Sequence, residues 1–64
     1  MNDSYKIWIV ISYGYNPTTY TLFGPYVDLY NSEEHADKRL EEFRDKPDWT
    51  ARKEYQVVKI KSEE

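Results

Sequence analysis

The run from Lys6 to Tyr13 (KIWIVISY) constrains this chain more than any other stretch. It is the longest apolar segment, and its β-branched and aromatic residues suit the central strand of a small sheet. With side chains alternating, Tyr5, Ile7, Ile9, Ile11 and Tyr13 face one way, and Lys6, Trp8, Val10 and Ser12 face the other. The isoleucine face is the natural core face. The opposite face is not an ordinary solvent face either, because Trp8 and Val10 sit in its middle.

Around that strand the other elements fall in order. Residues 1–4 are polar and expected to fray. Gly14-Tyr15-Asn16-Pro17 is turn chemistry. Thr18 to Phe23 (TTYTLF) returns as a second strand. Gly24-Pro25 must interrupt or bend it, since proline has no N–H to donate to a ladder, and Tyr26 to Tyr30 continue it after a bulge. Asn31 and Ser32 both qualify as helix N-caps, and Asn31 with Glu34 resembles a capping box. The helix is predicted to run to about Asp45, because Pro47 disfavours a helical Lys46. Ala36, Leu40 and Phe43 form a narrow apolar stripe on it. Residues 47–51 (PDWTA) read as a loop, with Trp49 folded against the helix end or the sheet edge. Glu54 to Lys61 is the third strand, and residues 62–64 are an acidic tail.

Strand, strand, helix, strand predicts an α+β fold: a two-layer ββαβ domain over residues 1–64. A right-handed crossover makes the third strand parallel to the second. Setting it beyond the first strand gives a three-stranded antiparallel sheet of order 2-1-3, with one helix on one face. Order 1-2-3 would leave the isoleucine strand on an edge, where it invites aggregation. The expected core is Ile7, Ile9, Ile11, Leu22, Val58, Ile60, Ala36, Leu40 and Phe43. One short helix cannot cover both faces. The uncovered face is expected to carry Trp8, Val10, Tyr55, Val57 and Phe23, a contiguous apolar patch of the kind that marks a binding surface. The competing expectation is that Trp49 and Tyr26 fold over it as a second small core.

Composition narrows the chemistry. A chain of 64 residues buries only about 60% of its unfolded surface, so its stability is marginal. There is no cysteine, which excludes disulfides and thiolate zinc sites and suits the cytoplasm. A partner chain is then the remaining source of stability. No signal-peptide pattern opens the sequence, and the longest apolar run is too short to cross a bilayer. The net charge of −3 opposes non-specific phosphate binding. The single His35 lies in the first helical turn, without the partners of a nucleophilic triad. The two glycines lie in different turns and make no phosphate loop. No catalytic residue, cofactor or metal is expected, and the chain reads as a non-enzyme. Seven tyrosines, two tryptophans and two phenylalanines exceed what one small core encloses, so some must lie at the surface. On the helix, Glu33, Asp37, Glu41 and Asp45 form a single-sign row at i, i+4 spacing; it reads as a solvated face or as an acidic strip for a basic partner.

Leu22-Phe23-Gly24-Pro25-Tyr26, Ser32-Glu33-Glu34-His35-Ala36 and Tyr55-Gln56-Val57-Val58 resemble a pattern in small orphan accessory proteins of bacteriophages and other prokaryotic mobile elements. That pattern is a hairpin ending F-G-P-aromatic, a helix opening S-x-E-x-A and a closing Y-x-V-V strand. The resemblance implies a small accessory protein that binds a host protein and inhibits or redirects it. The expected binding residues are Trp8, Val10, Phe23, Tyr55 and Val57 on the sheet, with Trp8 and Tyr55 as anchors, and Glu33, Asp37 and Glu41 on the helix. Homodimerisation through the same sheet face is also expected. The alternative is a single-stranded nucleic-acid binder that stacks bases on these aromatics.

Overall fold

The computed structural model describes residues 2–61, with side chains over 4–59. Its elements are β1 (Asn2–Asn16), β2 (Thr21–Tyr30), α1 (Glu33–Arg44) and β3 (Trp49–Lys61). The fold is α+β. Three strands form one open antiparallel sheet of order β2-β1-β3, and the helix lies on one face. The strands are longer than the apolar runs that mark them. Pairing of β1 with β3 extends from Asn2 opposite Lys61 to Gly14 opposite Trp49. Asn2 to Ser4 are thus part of a strand rather than a frayed end, and Trp49 to Ala51 open β3 rather than forming a loop. Met1 and residues 62–64 lie outside the described residues.

The first turn sits later than its glycine suggests. Gly14, Tyr15 and Asn16 remain in β1, and residues 17–20 make the turn. The Asn16 side-chain oxygen accepts from the Thr18 and Thr19 amides at 3.0 and 3.4 Å, a local bond that closes the turn. The left-handed residue is Tyr20, at φ 56°. Gly24-Pro25 forms the expected bulge: the β1–β2 register shifts between Ser12 and Gly14. Gly24 has φ +112°, and a Cβ there would stand 2.9 Å from the Ser12 carbonyl oxygen, so the bulge requires glycine. Ser32, not Asn31, caps the helix; its hydroxyl accepts from the His35 amide at 3.3 Å.

The helix lies on the Val10 face, and this reverses the expected core. Val10 and Ser12 are 0% exposed, and Ala36 and Phe43 are buried above them. Ile7, Ile9 and Ile11 occupy the face away from the helix, only partly shielded by their strand neighbours. Leu22 lies opposite Tyr15 on that same outer face and is 70% exposed. Val58, opposite Tyr5, belongs to it too. The side chain of Ile60 lies outside the described residues.

The reason is steric and electrostatic. Along the covered side of β1 the residues shrink from Trp8 through Val10 and Ser12 to Gly14, and Ala51 lies opposite Ser12. This shallow trough admits a helix whose own stripe is narrow. At its small end, large side chains fill the space. Trp49 packs against Phe43 at 5.3 Å, Phe23 at 5.3 Å and Tyr26 at 5.9 Å between ring centroids. The Phe23 ring lies directly over Gly14, where any Cβ would collide with it. The second small core expected around Trp49 and Tyr26 is therefore part of the main one, and Trp49 meets the helix end as foreseen.

Candidate functional site

Two regions of the sheet are left without a layer above them. The helix spans about 18 Å, whereas the 15 residues of β1 run about 50 Å. One region is therefore the overhang of the helix face beyond the first helical turn. The other is the whole outer face.

The overhang holds part of the expected site. Trp8 is half-buried, directly opposite Tyr55, and their rings lie 5.1 Å apart at 48°. Tyr55 is 58% and Val57 49% exposed. The Lys6 ammonium stands 5.7 Å from the Trp8 centroid and 5.1 Å from that of Tyr55, and Lys53 stands 5.3 Å from Trp8. These cations occupy ring surface that a stacked base would need. Val10 is a correction: buried beneath the helix, it cannot touch a partner. Phe23 is a second one, since it belongs to the Trp49 cluster at the other end of the helix face.

The acidic helix row is also reassigned in part. Lys53 donates to Asp37 at 2.6 Å and to Glu33 at 2.7 Å. Those bonds raise the lysine above its ordinary pKa, that to Asp37 contributing most. Glu33 and Asp37 thus bind the helix to β3, with about half of each side chain still exposed. Glu41 remains exposed. On the other flank, Asp28 of β2 accepts from Arg39 at 3.3 Å, and Arg39 also reaches Glu42 at 2.6 Å. The row Asp28–Val10–Lys53 therefore grips the helix with opposite charges on its two sides.

The outer face is the larger apolar surface. Its centre is Ile7, Ile9 and Ile11; on the β2 side Leu29 and Val27 stand opposite Ile9 and Ile11, 63% and 57% exposed. On the β3 side, Arg52 and Glu54 form a 2.8 Å ion pair that borders the isoleucines. Sequence reasoning took these isoleucines for core because they are the most apolar set. The signal it missed was the taper from Trp8 to Gly14, which marks the side a helix can approach.

Other chemistry is sparse. Among the described residues no three His, Asp or Glu side chains gather to hold a metal. No helix there is long and apolar enough to cross a membrane. The buried Ser12 hydroxyl, without a protein hydrogen-bond partner among the described residues, borders an open cleft of about 280 Å³ between sheet and helix. Compared with known proteins, the chain matches no family model, no curated protein and no solved structure.

Proposed function

We propose that this chain is a non-enzymatic protein-binding module whose working surface is the outer sheet face. The observation that carries this reading is the uncovered stripe Ile7–Ile9–Ile11 with Leu29 and Val27 beside it. Contiguous apolar surface on this scale is costly in water and marks interaction sites. The resemblance to phage accessory proteins supports a role of that kind, in which a small cytoplasmic protein modulates or inhibits a host protein. Tyr55, Val57 and Glu41 supply further exposed contacts at the helix side.

The reading is tested with an apolar fluorescent dye and sedimentation equilibrium on the purified chain. A binding face must either take up the dye or be occupied by protein. We expect one or the other in the wild type, and loss of it in Leu29→Lys and Val27→Lys with the helical circular dichroism retained. A wild type that neither binds dye nor associates sinks the proposal.

A further inference from the structure

We infer that the outer face is occupied by a second copy of this chain, packed sheet on sheet about a two-fold axis that crosses the strands level with Val10, on the side away from the helix. This rests on the reading of that face as a docking surface and names its occupant.

The first argument is shape. The Cα radius of gyration is 15.5 Å, and the extents are 56 × 21 × 11 Å. A compact domain of this length would have a radius near 11 Å. The chain exposes 5311 Å², whereas a compact monomer of 7.8 kDa exposes about 4,400 Å². The excess, on the order of 900 Å², matches the roughly 800 Å² that each partner of a standard stable interface buries. A single copy is one layer short, and doubling it face to face supplies that layer.

The second argument is self-complementarity. Two adjacent rows cross the middle of the outer face: Leu29–Ile9–Glu54 and Val27–Ile11–Arg52. A two-fold axis perpendicular to the strands lays each strand antiparallel over its own copy and exchanges these rows. Ile9 then meets Ile11 of the second copy, and Leu29 meets Val27. Glu54 meets Arg52 twice, once on each side of the axis. The next rows match as well: Ile7 falls over Tyr13, and Gln56 over Thr50. Within these rows apolar side chains pair with apolar, polar with polar, and each charge with its opposite. An axis parallel to the strands would instead set Leu29 and Val27 of β2 over the charged β3. Aligned sandwiches tolerate the twist of about 30° that such packing needs. The result has an apolar centre and a charged rim, the usual layout of an interface. It leaves both helices and both Tyr55–Val57 overhangs facing outward for other partners.

The test is sedimentation equilibrium on wild type, R52E, E54R, their equimolar mixture and Leu29→Lys. The wild type is expected to be a dimer. R52E and E54R each set like charges against one another across the axis, and should raise the dissociation constant about tenfold or more. Mixing them should restore association, because a heterodimer of the two regains opposite charges at both contacts. Mixing cannot repair the ion pair within either chain, so recovery reports on the interface alone. Leu29→Lys, at a position 63% exposed, should be monomeric with its helix signal intact. A mixture that stays as weak as its components overturns the two-fold arrangement. A monomeric wild type that takes up apolar dye, with uptake lost in Leu29→Lys, overturns self-association but leaves the docking surface standing. A monomeric wild type that binds no dye overturns both.

Discussion

Across one row of the sheet, Asp28, Val10 and Lys53 face the helix; across the next, Leu29, Ile9 and Glu54 face away from it. The first row is small in the middle and charged at both ends. The second is apolar over two of its three positions. The helix takes the first row because a 12-residue helix with a narrow stripe needs a trough, and because Arg39 on one flank and Glu33 with Asp37 on the other answer the charges there. Apolarity alone does not choose the covered face. Fit and matching charge choose it, and the more apolar surface is left for a broader occupant.

The largest effect comes from placing a carboxylate on each face in turn. Val10→Asp buries a carboxylate beneath Ala36 and Phe43, beside Asp28 and across from a Lys53 already held by Asp37 and Glu33, and should cost about 3–5 kcal/mol, enough to unfold a marginal domain. Ile9→Asp, one residue away but partly exposed and facing Glu54 across the ladder, should cost the dilute monomer only about 1–2 kcal/mol while abolishing association. Circular dichroism during urea titration reads the first, and sedimentation the second. If Ile9→Asp unfolds the chain and Val10→Asp is tolerated, the two faces have been exchanged.

Much of this was legible in the residues. The strand Lys6–Tyr13, the bulge at Gly24-Pro25 and the helix ending before Pro47 all follow from local chemistry, and the order 2-1-3 follows from protecting the most apolar strand. The sheet's orientation toward the helix was not legible by the same route. It depends on Lys53 standing beside Val10 and on Asp28 standing at its other side, and both facts require the strand registers. The β1–β2 register carries a bulge between Ser12 and Gly14, which no alternation pattern counts correctly. The exposed Tyr55 and Val57 were found for a reason that did not hold: they lie beyond the helix end, not on a bare face.

Gly14 sharpens the comparison at the crowded end of the covered face. Its missing side chain is where the Phe23 ring rests, so Gly14→Val should push Phe23 off Trp49 and cost about 1–3 kcal/mol. The change should appear in tryptophan fluorescence. An unchanged urea midpoint would mean that the taper toward Gly14 is not what admits the helix and its aromatic end.

The smallest effect tests the charged flank alone. Hydrogen bonds to Asp37 and then Glu33 raise the pKa of Lys53 in the folded chain. The folded state therefore holds this proton more tightly than the unfolded state. The resulting stabilisation is whole below the unfolded lysine value, about 10.4, and is lost as pH rises through the higher folded value. The comparison is with Lys53→Met, which keeps an apolar stem near Trp8 and has nothing there to titrate. The wild-type urea midpoint should fall more steeply than that of Lys53→Met as pH rises above about 10, with a constant offset between about pH 6 and 9. Parallel curves would show that the lysine contributes no preference between faces, leaving the fit of the helix to its trough of small residues and the Arg39–Asp28 pair to select the covered side.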